Sequence, residues 1–278
     1  MQIYKTYNEQ KMEYPLIINI PHSGTIIPQQ IQSKFTTPLP TISNNDWFLN
    51  ELYDFLIDMG VTIMSANYSR YVVDLNRIIT DPIIGDNYNK FTIYRKTIWG
   101  KELYSQIPTQ EECQKRLETY YYPYHDKLQE LINAKLEKFE KISILDLHSG
   151  ISSTGENDIC LGNARGGMSS INAIETLKKD FEKVGYTVGL NTPVTGGKVL
   201  RKYHDENNNI ECIIFELNFN CYIRDEYIGD EEVTEYNEQL FNKAKKNLKK
   251  SFEQYLAYLK TDFAKEKNKC CENTVSML

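Results

Sequence analysis

Apolar runs along this chain repeatedly stop at polar or charged residues. The stretch "YPLIINIPHSG" (residues 14–24) is a short apolar run closed by Pro-His-Ser-Gly, the pattern of a buried strand that delivers His22 to a loop. "NNDWFLNELYDFLIDMG" (44–60) begins with helix-capping residues and repeats apolar positions at helical spacing until Gly60, which predicts one helix. "VTIMSANYSRYVVDLN" (61–76) alternates like a second strand. Residues 77–100 show no sustained period and are rich in Asp, Asn, Gly and isolated aromatics, so they read as a long surface loop. Residues 110–141 are helical, with Pro123 marking a kink or break. "ISILDLHSG" (142–150) is a strand, and "GENDICLGNARGG" (155–167) lies in a loop. A capped amphipathic helix follows in "SSINAIETLKKDFEKVG" (169–185). "YTVGLN" (186–191) and "IECIIFELNFN" (210–220) are further strands, and residues 230–262 form a final helix.

Strands and helices alternate over the whole length, which favours a three-layer α/β domain with a central, largely parallel or mixed sheet. With no repeat and no linker between two cores, the expectation is one domain over residues 1–262 and a flexible, Lys-rich tail over 263–278. Sites in such folds lie at the carboxyl ends of the strands. His22, Arg77, His148 and Glu216 all fall at or just beyond predicted strand ends.

Composition narrows the function classes. The 278 residues are 41% hydrophobic and 25% charged, as in a globular protein. The formal net charge of -6 argues against a general nucleic-acid binder, which needs a basic surface. No apolar run reaches the roughly 20 residues that span a bilayer, and the start lacks a signal-peptide pattern, so no membrane and a cytoplasmic location are expected. The six cysteines include no CxxC pair, which suggests neither a zinc ribbon nor a disulfide framework. "LGNARGG" and "GGKVLRKYH" match neither GxGxxG nor the P-loop, and no GxSxG elbow occurs.

Chemistry-bearing residues are few. Of four histidines, His22 in "NIPHSG" and His148 in "LDLHSG" share a setting just after or at the end of an apolar strand, where either structural support or a metal or catalytic role fits. His125 reads as a helix-packing residue. A hydrolytic zinc takes three protein ligands, so two histidines call for a carboxylate. Asp46 is one candidate and otherwise a helix cap. Asp146, two residues before His148 on the same strand face, would ligate or orient a ligand. Glu216 interrupts an apolar strand, as an ion-pair partner or as a group that accepts a proton from water and passes it on. Arg70, Arg77 and Arg201 offer forks for substrate carboxylates, or surface salt bridges.

Taken in order, "IPHSG" (20–24), "NDW" (45–47) with "LY" (52–53), "YSRYVVDLNR" (68–77), "DLHS" (146–149), "TGGKVLRKY" (195–203) and "FELN" (215–218) resemble the N-formylglutamate amidohydrolase family, distant relatives of the zinc carboxypeptidases and aspartoacylases. The similarity runs from about residue 14 to residue 258. The resemblance implies a phosphorylase/hydrolase-like fold with a central mixed sheet flanked by helices. It also implies one zinc or similar divalent ion, and hydrolysis of N-formyl-L-glutamate, a small anionic N-acyl amino acid, to formate and L-glutamate in histidine degradation. On that resemblance His22, Asp46 and His148 are the metal ligands and Glu216 the general base and acid. Arg77 with Asn76 clamps the substrate carboxylate, Arg70 and Arg201 are further positive positions, and Asp74 orients an arginine. Other readings are hydrolysis of another N-acyl amino acid or small peptide, or a noncatalytic metal- or ligand-binding relative.

Overall fold

The computed structural model describes residues 2–36, 45–150, 153–197, 199–207, 209–226 and 232–275, with side chains described as far as residue 261. Nine strands occur among these residues: β1 Tyr4–Tyr7, β2 Leu16–Ile20, β3 Thr62–Ala66, β4 Ile84–Gly85, β5 Ile93–Tyr94, β6 Ile142–Gly150, β7 Ile159–Gly162, β8 Val188–Leu190 and β9 Ile210–Asn218. Helices α1 Gln29–Gln32, α2 Leu49–Leu52, α3 Phe55–Asp58, α4 Gln110–Arg116, α5 Tyr122–Lys138, α6 Ile171–Glu182, α7 Leu200–Tyr203 and α8 Glu238–Val275 connect or cover them.

Seven strands form one mixed sheet in the order β1-β3-β2-β6-β9-β7-β8. The centre, β3-β2-β6-β9, is parallel, while β1 and β7 run antiparallel to their inner neighbours. Central strands covered on both faces must be apolar on both, and most of β2, β6 and β9 is. Leu145, Leu147, Ile213, Phe215 and Leu217 pack toward α6 and α8. Ile142, Ile144, Ile210, Cys212 and Ile214 pack toward α4 and α5. This gives three layers, helices on sheet on helices, as the sequence pattern predicts.

Several local expectations change. The second strand stops at Ala66, and residues 69–76 form a buried, turn-rich run. Val72 N–H donates to Ser69 O (2.9 Å) and Asn76 N–H to Asp74 Oδ1 (2.7 Å), so side chains and turns take the backbone groups a ladder would use. The single helix expected over 44–60 divides into α2 and α3. Phe48 enters α2 in a left-handed conformation (φ 60°), and Tyr53 leaves helical geometry at the break (φ -104°, ψ 11°). Residues 77–100 are not wholly irregular, because β4 and β5 pair there. Strand β7 lies inside the segment read as a loop, and Leu200–Tyr203 form the short helix α7. The long helical segment carries a π-helical turn, Leu117–Tyr121, just before Pro123. The final helix starts at Glu238 rather than 230, and its backbone runs to Val275.

Gly24 shows how closely the His22 loop meets the turn-rich segment. A Cβ there would sit 2.4 Å from Tyr68 O, so only glycine fits. Ile26 N–H then donates to Asn67 O (3.1 Å) and Ser69 N–H to Ile26 O (3.0 Å), fixing the two segments together.

Candidate active site

One face of the sheet changes character along its strands. On β6 the positions Ile142, Ile144, Asp146, His148 point the same way; on β9 so do Ile210, Cys212, Ile214, Glu216. The pairing register sets His148 opposite Glu216, and Asn19 of β2 opposite Asp146. The face is apolar where the strands begin and ionisable at their carboxyl ends. His22, just past β2, and Asp46 close over this edge, and Asp46 N–H donates to His22 O (3.1 Å).

His22, Asp46 and His148 are all buried, and each offers a donor atom within 4.8 Å of the others. His22 Nδ1 lies 3.8 Å and His148 Nδ1 3.0 Å from Asp46 Oδ2. The far side of each ring is held by another carboxylate: His22 Nε2 by Asp74 Oδ1 and His148 Nε2 by Asp146 Oδ2, both at 2.9 Å. A histidine whose far nitrogen donates to a carboxylate has its ring and tautomer fixed, with the near nitrogen turned to a common centre. Two imidazole nitrogens and a carboxylate oxygen in this arrangement fit a divalent cation. Asp146 lies behind His148, and Asp46 is the carboxylate grouped with the two histidines.

Asp74 does more than orient an arginine. Fully buried, it accepts from His22, from Arg70 Nε and Nη2 (3.2 and 2.8 Å), from the Tyr94 hydroxyl and from Asn76 N–H. Its contact with His22 spans 52 residues and has no local sequence signal. Asp146 is similarly braced: Asn19 Nδ2 donates to its Oδ1 (2.6 Å), and Tyr124 OH donates to Asn19 Oδ1 (2.6 Å).

Burial and charge pull these groups apart. Burial and the Arg70 charge press His22 down to about 4 against the opposing pull of Asp74, so its ring is neutral and can present a lone pair. Burial also opposes charge on His148, but Asp146 and Asp46 outweigh it and hold its pKa well above the usual histidine range. Asp74 stays well below the usual carboxylate range despite burial, because His22, Arg77 and Arg70 surround it. Burial, reinforced by Asp46 and Asp146 and opposed by His148, pushes Glu216 up to about 7.

His22, Asp46, His148 and Glu216 line a cleft of about 420 Å³. Arg70, Asn76 and Arg77 also line it. Arg70 is buried against Asp74, with Nη1 3.8 Å from Asp46 Oδ1, which puts its charge beside the centre. Arg77 is only partly buried; its Nε donates to Tyr88 O (2.9 Å) and its Nη1 to Asn76 O (2.8 Å). The Asn76 side-chain amide turns toward the His148 support, with Nδ2 donating to Asp146 Oδ2 (3.2 Å) and lying 2.9 Å from His148 Nε2. Arg201 does not join them. It is exposed on α7, whose Leu200 and Tyr203 take the buried side, and it is not among the residues lining the cleft. Trp47, Tyr88, Asn89, Ile98 and Trp99 complete much of the lining, and sequence reasoning did not single them out. His125 packs between Tyr121 and Tyr203 in the helical layer, as expected.

By its family relationship, the molecule is a hydrolase acting on a linear amide C–N bond. The chain belongs to the N-formylglutamate amidohydrolase family, whose model matches residues 14–223. It is 28% identical over 256 residues to an N-formylglutamate deformylase of Pseudomonas putida, covering 88% of this chain and 93% of that protein. It is 29% identical over 219 residues to an N-formylglutamate deformylase of Pseudomonas aeruginosa, covering 73% and 80%. The fold matches the crystal structure of an N-formylglutamate amidohydrolase from Ralstonia eutropha JMP134 with a TM-score of 0.81 at 20% identity, over 94% of this chain and all of that one. A gene product of Agrobacterium tumefaciens matches with a TM-score of 0.72 at 15% identity, over 94% and 97%. Among the described residues no helix is long and apolar enough to cross a membrane.

Proposed function

We propose that this protein is a zinc-dependent, or similarly divalent-metal-dependent, deformylase that hydrolyses N-formyl-L-glutamate to formate and L-glutamate. The observation that carries the reading is the convergence of His22, Asp46 and His148 on one centre while Asp74 and Asp146 hold the histidines from behind. These three residues would be the ligands. A divalent cation bound there supplies Lewis acidity toward an amide oxygen and toward water. Glu216, beside His148 and with a proton affinity near neutrality, takes the proton from the attacking water and returns it to the leaving nitrogen as the C–N bond breaks. Arg70 places a buried guanidinium next to Asp46, where negative charge on the amide oxygen would develop. Arg77 receives the substrate carboxylate at the cleft wall, and Asn76 supports His148 through Asp146.

The names of the Pseudomonas relatives favour the formyl group as the acyl part. A single domain carries the site, and a place in cytoplasmic histidine degradation belongs to the same reading. The test is release of formate from N-formyl-L-glutamate by purified protein, set against release of acetate from N-acetyl-L-glutamate. Formate at a kcat/KM at least about ten-fold that for acetate is expected, a difference of about 1.4 kcal/mol in transition-state binding. Acetate release equal to or faster than formate release would replace the reading with that of a general N-acyl amino acid hydrolase.

A further inference from the structure

The cleft has a built wall that the proposed chemistry does not use. Residues 95–103 form a hairpin: Leu103 N–H donates to Arg95 O (2.8 Å), Lys96 bridges Glu102, and Thr97 N–H donates to Lys101 O (2.8 Å). Gly100, in the left-handed region (φ +83°), closes the tip with its N–H donated to Thr97 O (3.0 Å). Ile98 and Trp99 at this tip line the same cleft as His22, Glu216 and Arg77.

The base of the hairpin is anchored. Leu103 and Tyr104 pack with Tyr71 and Tyr94 in a small apolar cluster of their own. Tyr94 donates its hydroxyl to Asp74, and Asp74 N–H donates to Thr92 O (2.8 Å), so the arm is tied to the residue that holds His22. Tyr88, earlier on the same arm, accepts from Arg77 Nε through its carbonyl and lies under both guanidinium groups, 5.1 Å from Arg77 and 5.3 Å from Arg70. Yet Trp99 is 46% exposed at the cleft wall, against 7% for Trp47 deeper in the lining. A rigidly based, half-exposed indole gains buried area when a ligand enters.

We propose, on the footing of the hydrolase reading above, that the hairpin tip is the subsite for the side chain of the amino acid released: Trp99, backed by Ile98, packs against an aliphatic stem while Tyr88 holds Arg77 for the α-carboxylate. The ligand class is an N-acyl amino acid with at least two side-chain methylenes or their equivalent. The half-exposed position lets a terminal carboxylate stay hydrated, so a dicarboxylate such as glutamate fits without Arg201 in the cleft. Trp99 is a specificity residue, and its contribution is to substrate binding.

The test compares metal-loaded wild type, Trp99→Ala and Trp99→Phe on N-formyl derivatives of glycine, alanine, methionine and glutamate. Wild-type kcat/KM is expected to rise from glycine to methionine and glutamate. Trp99→Ala should raise KM for the two long substrates about ten-fold while kcat stays within about two-fold and the glycine derivative is unaffected, and Trp99→Phe should retain most of the preference. An unchanged preference in Trp99→Ala would overturn the subsite. A second readout uses the fact that the chain has only two tryptophans. Trp47 also lines the cleft, so the emission is read in Trp47→Phe, whose one indole is Trp99: L-glutamate added to that variant should change it. No formate from any member with wild type would instead overturn the deformylase reading, and the emission titration would still decide the subsite: no glutamate-dependent change in Trp47→Phe refutes it.

Discussion

Strands β6 and β9 present two faces built from alternate residues of the same short sequences, and the faces serve different ends. Leu145, Leu147, Ile213, Phe215 and Leu217 meet α6 and α8 in an apolar layer, where the Phe215 ring lies 5.0 Å from Phe181 and 6.4 Å from Phe252. One residue along, Ile144 gives way to Asp146 and His148, and Ile214 to Glu216. The first face gains its free energy from burial, about 1.5–3 kcal/mol for each large side chain taken out of water. The second accepts buried ionisable groups, which are tolerable because nearly every one faces an opposite charge or a hydrogen-bonding partner. Stability and chemistry are thus separated by a single step along a strand.

That separation can be broken from either side. The largest effect is expected at Glu216→Gln, which keeps the shape of the edge but removes the proton carrier. Turnover should fall by about 10²–10⁴-fold while metal content and melting temperature stay near wild type. Wild-type turnover in that variant would refute its assigned role. Phe215→Ala, the neighbouring position on the opposite face, should do the converse: a loss of about 3–5 kcal/mol of stability in denaturant melts, with metal affinity of the remaining folded protein little changed. Asp146→Asn weakens the support behind His148 and should lower metal affinity by about 10–100-fold, read by competition with a chromophoric chelator, at a smaller cost in stability than Phe215→Ala. If Phe215→Ala weakened metal binding as much as Asp146→Asn does, the two faces would not be independent.

The apolar face was legible from the sequence almost in full. The boundaries of β6 coincide with "ISILDLHSG", and strand alternation alone put Asp146 and His148 on one side. His22, His148 and Glu216 stood out because each ends or interrupts an apolar pattern, whereas Asp46 entered through the ordered set of motifs; the structure brings the four to one cleft. Their supports were less legible. Asp74 sits in a segment that alternates like a strand but folds as turns, and its contact with His22 comes from packing between the two loops at Gly24. Arg201 looked like a binding residue because it lies in a basic motif, whereas the four-residue helix α7 spends its buried side on Leu200 and Tyr203. The Trp99 hairpin carried no period at all. Its order comes from backbone hydrogen bonds and a four-residue aromatic and aliphatic cluster, neither of which a hydropathy pattern reveals.

The most direct test of the central claim, that the ionisable face is a metal-dependent hydrolytic centre, measures metal content and formate release from N-formyl-L-glutamate on one preparation, before chelation, after it and after zinc is returned. The account predicts about one metal per chain, formate release that disappears with the metal, and its recovery with zinc, as three protein ligands around an open position require. Undiminished formate release from protein shown to be free of metal would contradict it.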